Sequence, residues 1–114
     1  MSKRDIELFV NDIYESIEAI FDYTKDMNLE EFSNDRKTYS AVIREFEIIG
    51  EATKHLPSDI LDKYKDVEWR DLKDFRNLLI HEYFGVDFEI VYKVIKDDLE
   101  ILRQTIHLIK KDLP

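Results

Sequence analysis

Apolar residues recur every three or four positions along most of the chain, which is the spacing of one face of an α-helix. The pattern predicts four helices, over residues 3–24, 35–56, 67–83 and 88–112. Residues 25–34 are mostly polar and are predicted to form a loop with one turn at most, and residues 58–65 a short helical turn. The spacing therefore predicts an all-α fold, an antiparallel bundle of four to five helices in a single domain over residues 1–114.

Capping and helix-breaking residues mark the ends of these predicted helices. Ser2 stands where its side chain can cap the first helix, and Pro57 ends the second. Asp66 and Asp87 are placed to cap the third and fourth helices, and Gly85 lies where the third helix needs a residue that tolerates a left-handed backbone. The connections are therefore predicted to be short and sharply bounded.

A glycine inside the second predicted helix is unusual. Gly50 lies among its apolar residues, and glycine there costs up to ~1 kcal/mol of helix stability relative to alanine. A close approach by a neighbouring helix would justify that cost. We therefore expect a second helix to pass over this position.

The last predicted helix carries more apolar surface than one face needs. A second apolar line lies beside its main face, at Ile90, Val94, Ile101 and Leu108. Either the helix faces a wide core or a second subunit covers this line. The second alternative predicts a dimer.

Composition excludes several classes of protein. Hydrophobic residues make up 44% and charged residues 38% of the 114 positions, which is too apolar for a disordered chain and too charged for a membrane protein. The chain has two glycines, two prolines and no cysteine, which argues against all-β folds, disulfide scaffolds and thiolate zinc sites. The first nine residues contain no apolar signal region, so we expect a cytoplasmic protein with no membrane association.

The net charge of −9 argues at first against binding to nucleic acid. Its distribution changes that picture. Residues 1–34 carry 3 basic and 9 acidic side chains, whereas residues 35–114 carry 14 and 17. Most of the excess acidity therefore lies on the first helix and the segment after it, and RNA binding elsewhere would be local rather than long-range.

The third predicted helix concentrates the candidate chemistry. One polar stripe on an ideal helix comprises Arg70, Asp74, Asn77 and His81. Arg76 and Tyr83 share a separate line. An imidazole can move protons near neutral pH, a guanidinium can hold a phosphate, and an amide can orient either group. An arginine and a histidine without metal ligands suit RNA cleavage through the 2′-hydroxyl. Spacing alone, however, favours ion pairs or a satisfied surface histidine over catalysis, and a core position for Tyr83.

A second polar row lies on the second predicted helix. Glu47, Glu51 and His55 are spaced four apart and could contribute to a metal site, but a di-iron bundle needs more carboxylates and a second histidine-bearing helix. His107 stands alone on the fourth helix. A solvated or interface row with ion pairs between successive turns is the simpler interpretation, and we predict no metal and no cofactor.

The third-helix residues resemble a known motif. Arg76, His81 and Tyr83 are similar to the Arg-x4-His-x-Tyr motif of HepT-like toxins of the HEPN superfamily, and Asn77 is the polar residue usual after the arginine of HEPN ribonucleases. Residues 41–52 resemble the second helix of that family. The long C-terminal helix also fits, so the resemblance covers roughly residues 5–112.

The resemblance implies a metal-independent endoribonuclease that acts as a toxin, with Arg76, Asn77 and His81 in the catalytic site. It also implies a homodimer with the RNA cleft at its interface and a cognate minimal nucleotidyltransferase as antitoxin, which transfers AMP to Tyr83. The alternative is a HEPN binding module that does not cleave RNA and docks the nucleotidyltransferase.

Overall fold

A computed structural model of the chain describes residues 1–81 and 87–113, without the side chains of Ile80 and His81. This part of the chain contains seven helices and no strand, which confirms the all-α prediction. In chain order the helices are α1 (Lys3–Tyr23), α2 (Leu29–Asn34), α3 (Arg36–Lys54), α4 (Ser58–Leu61), α5 (Trp69–His81), α6 (Phe88–Asp97) and α7 (Leu99–Asp112).

The longest helices pack antiparallel around α1. Phe9 near the start of α1 stacks on His55 just after α3, whereas Tyr23 at its end donates a hydrogen bond to Glu45 in the middle of α3. On the other side of α1, Lys110 of α7 lies over the ring of Tyr14. The apolar faces predicted from the spacing meet in one core, whose fully buried members include Val10, Ile13, Ile17, Ile20, Phe46, Ile49, Leu79, Leu99, Ile106 and Ile109.

The loop predicted for residues 25–34 is wrong in part, because α2 occupies Leu29–Asn34. A reciprocal capping box begins this helix: the Glu31 backbone N–H donates to Asn28, and the Asn28 backbone N–H donates to the Glu31 carboxylate. Phe32 is fully buried and packs against the rings of Phe88 and Tyr92. Two apolar residues, Leu29 and Phe32, give too little periodicity to reveal a helix of this length.

The predicted fourth helix is two helices. Asp87 caps its start as expected, by accepting a hydrogen bond from the backbone N–H of Glu89. At Asp98 the backbone departs from helical geometry, with φ −114° and ψ −27°, and α6 gives way to α7. The apolar spacing continues unchanged through this break, which is why the sequence pattern predicts one helix.

The third predicted helix begins at Trp69, two residues later than expected, and Asp66 does not cap it. The first helical hydrogen bond runs from Leu72 N–H to the Glu68 carbonyl. The Trp69 indole N–H lies 3.1 Å from the Leu61 carbonyl oxygen and 3.0 Å from that of Tyr64, which holds the preceding segment in turns. The end predicted at residue 83 and the role of Gly85 lie outside the described residues.

Helices α3 and α5 cross closely at Gly50, as the interior glycine predicts. A Cβ atom on Gly50 would lie 2.6 Å from the Cβ of Arg76 and would overlap the Cγ of the same side chain. The Cβ atom is fixed by the backbone of α5 and cannot swing away, and Cγ could move only if the whole side chain rotated about its Cα–Cβ bond. Only glycine at position 50 therefore allows α5 to pack this close to α3 with the Arg76 side chain between them.

Candidate functional site

The Arg76 side chain lies between α5 and α3 and is only 24% exposed. Its Nη2 donates to the Glu51 carboxylate at 2.7 Å, and its Nη1 donates to the Asn77 side-chain oxygen at 3.1 Å. Its Nε is buried and has no acceptor among the described residues. The guanidinium is thus held in place by two acceptors, and its buried Nε–H has no partner within the described part of the chain.

Glu51 also contacts a second side chain, that of His55 at the end of its own helix. Its second carboxylate oxygen lies 3.4 Å from Nε2 of His55, one turn further along α3. The His55 ring stacks on Phe9 of α1, with ring centroids 4.8 Å apart and planes 13° apart. A continuous set of contacts therefore runs from α1 through the end of α3 to the arginine on α5.

Glu51 is the site residue that the sequence does not assign. Helical spacing places it in a row with Glu47 and His55, and the simpler interpretation of that row is a solvated or interface row with ion pairs between successive turns. In the structure Glu51 pairs with Arg76 across the helix contact. Spacing along one helix cannot show a contact between two helices. The adjacent Gly50 is the available signal, because it marks where the neighbouring helix comes close.

The structure brings together two of the predicted site residues. Arg76 and Asn77 are hydrogen-bonded neighbours, and both are partly buried. The backbone of His81 forms the last turn of α5, one turn beyond Asn77. The His81 side chain is not described, and Tyr83 lies outside the described residues.

The arrangement suits recognition of a phosphate. A guanidinium is planar, permanently charged and able to donate two parallel hydrogen bonds to an oxyanion. Here its stem and one of its edges are fixed by α3, so little side-chain entropy remains to be lost when an anion binds. The nearby Glu51 carboxylate limits the net positive charge, so the attraction of an anion to this site is short-ranged.

No site for a metal ion is formed by the part of the chain described here, because no three His, Asp or Glu side chains gather at one point. His107 lies elsewhere, in a groove between α1 and α7 beside Tyr14 and Arg103. Within residues 1–81 and 87–113 no helix is both long and apolar enough to span a membrane.

Three members of the second apolar line of the predicted fourth helix are exposed, whereas Val94 is partly buried and packs against the core. Ile90 is 47% exposed, Ile101 44% and Leu108 48%. Ile101 also lines an apolar cavity of about 220 Å³ together with Leu72 and Phe75 of α5. Part of this line therefore lies directly beside the helix that carries Arg76.

The chain is similar over nearly its whole length to known ribonuclease-like proteins. A protein of Methanocaldococcus jannaschii described as a candidate RNase is 45% identical over 95 residues, which cover 83% of this chain and 78% of the relative. Another candidate RNase of that organism is 42% identical over 113 residues, 99% of this chain and 97% of the relative.

A protein of Thermococcus cleftensis described as a probable ribonuclease HepT is 39% identical over 109 residues, 96% of this chain and 99% of the relative. No solved structure gives a significant match. The sequence model of the family described as Ribonuclease HepT-like matches residues 13–109, a range that includes Arg76, Asn77, His81 and Tyr83. The chain therefore belongs to the HepT-like ribonuclease family.

Proposed function

We propose that this protein is a metal-independent endoribonuclease and the toxin of a toxin–antitoxin pair. The fixed guanidinium of Arg76, paired with Asn77 on the helix that carries His81, is the observation that supports this function most directly. Relatives described as RNases, over most of the chain, support the same substrate class. The acceptors on two sides of Arg76 leave it a rigid phosphate ligand rather than a mobile surface cation.

The proposed reaction is attack of an RNA 2′-hydroxyl on the adjacent phosphorus. The 2′-oxygen forms a new bond to phosphorus, the bond to the 5′-oxygen breaks, and the products are a 2′,3′-cyclic phosphate and a 5′-hydroxyl. His81 transfers a proton to or from the reacting oxygens. Arg76 stabilises the extra negative charge on the phosphorane, and Asn77 orients the guanidinium.

The proposed active unit is a homodimer. Transfer of protons at both reacting oxygens is best served by two histidines, and one chain supplies one His81 on α5. The exposed Ile101 beside α5 offers apolar surface that a second copy could cover. A two-fold axis there would bring two copies of the motif to one cleft.

The proposed antitoxin is a minimal nucleotidyltransferase, and the proposed acceptor is Tyr83. The phenol oxygen would attack the α-phosphorus of ATP, with loss of its proton and release of pyrophosphate. The attached AMP would place a phosphate near Arg76 and His81 and repel RNA. This modification would silence the ribonuclease without unfolding it.

We expect the purified chain to cleave a labelled RNA oligonucleotide in EDTA, and to leave a strand with 2′-deoxyribose at the cut position intact. His81→Ala removes the proton-transfer group, and Arg76→Lys keeps the charge but loses the planar fork. Each should lower the cleavage rate by about 10²-fold or more, measured by gel electrophoresis. Identification of the cyclic phosphate end by mass spectrometry checks the reaction.

The matched control is His107→Ala, which removes an exposed histidine far along the chain from the motif and should cleave at the wild-type rate. Equal cleavage by wild type and His81→Ala would reveal a contaminating nuclease. A folded wild-type chain that leaves RNA intact would overturn the enzyme proposal in favour of the non-cleaving binding module.

Ile101→Asp should shift the protein from dimer to monomer in sedimentation velocity, because a charge replaces an apolar side chain at the proposed contact. Leu8→Asp is the control, since Leu8 is also exposed, at 55%, but lies on α1. A wild-type chain that sediments as a monomer at micromolar concentration would contradict the shared cleft.

Incubation with the cognate nucleotidyltransferase and ATP should add one or more AMP masses to the wild-type chain, and Tyr83→Phe should abolish the addition, as followed by intact-protein mass spectrometry. Tyr23→Phe, at an exposed tyrosine on α1, should be modified like the wild type. Unchanged modification of Tyr83→Phe would assign the acceptor to another residue.

A further inference from the structure

We propose that Glu51 is a positioning residue for RNA cleavage, which acts by holding the Arg76 guanidinium in its reactive orientation. The inference rests on the proposed ribonuclease function and adds a residue from α3 to a site otherwise formed by α5. It is carried by the contact between Glu51 and Arg76 Nη2 at 2.7 Å, and by the surroundings of both side chains.

The Arg76 stem alone does not fix the guanidinium. Gly50 sets the path of the stem up to Cδ, but the planar group can still rotate about the bonds beyond it. Asn77 is the next residue on the same helix and holds only Nη1, at 3.1 Å. The Glu51 carboxylate holds Nη2 from the other helix, so the two acceptors together define the plane of the guanidinium.

Glu51 is well suited to this task because its own carboxylate is restrained. His55 Nε2 lies 3.4 Å from the oxygen that Arg76 does not use, and the His55 ring is stacked on Phe9. A carboxylate that contacts a neighbour on each of its two oxygens has fewer positions open to it than one that contacts Arg76 alone. One without a second contact would move with the guanidinium instead of fixing it.

A contribution to the stability of the fold does not explain the ion pair between Glu51 and Arg76. Glu51 is 49% exposed, and ion pairs this accessible to water contribute typically ~0–1 kcal/mol. A carboxylate next to a phosphate-binding arginine also opposes the approach of RNA, which is negatively charged. Glu51 should therefore cost some RNA affinity while it raises the rate of the chemical step, a combination that a purely structural residue would not produce.

The test compares kcat and KM for RNA cleavage by Glu51→Gln, Glu51→Ala and the control Glu47→Gln, which removes a charge one turn earlier on α3. We expect kcat to fall roughly 10-fold in Glu51→Gln, which keeps one acceptor, and roughly 10²-fold in Glu51→Ala, because misplacement of a catalytic group by about 1 Å costs on that order. KM should stay the same or fall in both. Glu47→Gln should match the wild type in both constants.

His55→Phe keeps the stacking on Phe9 but removes the contact to Glu51, and should lower kcat in the same direction by a smaller factor. A wild-type kcat in Glu51→Ala would overturn the proposal, as would a higher KM with kcat unchanged. Circular dichroism confirms that each variant retains the helical fold.

A second measurement does not depend on activity. In ¹⁵N-resolved spectra of the wild type, the Arg76 side chain should show slowed rotation about its Cζ–Nη bonds, and Glu51→Ala should abolish it. An Arg76 signal that is unchanged by Glu51→Ala would overturn the inference even if the wild type proved inactive on RNA. Conversely, loss of slowed rotation in an inactive protein would uphold the positioning contact and reject the ribonuclease function.

Discussion

The contact of the Arg76 stem with Gly50 is the constraint on which the candidate site depends. It requires a glycine on α3, because any side chain there would overlap the Cβ and Cγ of the arginine. Packing against Gly50 then fixes the stem of Arg76, a long and flexible side chain, over several atoms without a hydrogen bond. The remaining freedom of the guanidinium is then small enough for two acceptors, Glu51 and Asn77, to remove.

The two proposed catalytic groups, Arg76 and His81, stand at different places along α5. Arg76 lies in the packed part of α5, one turn before the fully buried Leu79, and is braced against α3. His81 lies in the last turn of that helix. This division suits the proposed chemistry, since a phosphate ligand benefits from a fixed position, whereas a proton-transfer group must reach reacting oxygens on the substrate.

Much of the fold was predictable because its signal lies in spacing along the chain. The apolar periodicity predicted the long helices, and Gly50 predicted the close crossing of two of them. Helix α2 was not predicted because Phe32 is its only buried residue. The break at Asp98 was not predicted because the apolar pattern continues through it. Short helices and local breaks of this kind hardly change the spacing of apolar residues along the sequence.

The residues of the candidate site also differ in whether the sequence could predict them. Arg76, Asn77, His81 and Tyr83 were predicted as site residues from their order and from the family resemblance, and the comparisons show the family. Glu51 could not be identified, because its role depends on which helix α3 packs against and at what depth. The spacing of Glu51 and His55 indicated only a contact between successive turns of one helix, which the structure contains, and it carried no information about the partner on α5.

The free energy of unfolding of Gly50→Ala, measured by urea denaturation in two backgrounds, tests the central contact most directly. In the wild-type background the added methyl group should destabilise the protein by about 1–3 kcal/mol, despite the better helix propensity of alanine. In an Arg76→Gly background, where all the overlapping atoms are absent, the same substitution should stabilise it by up to ~1 kcal/mol. An equal stabilisation in both backgrounds would contradict the account, because it would show that the arginine stem does not lie on Gly50.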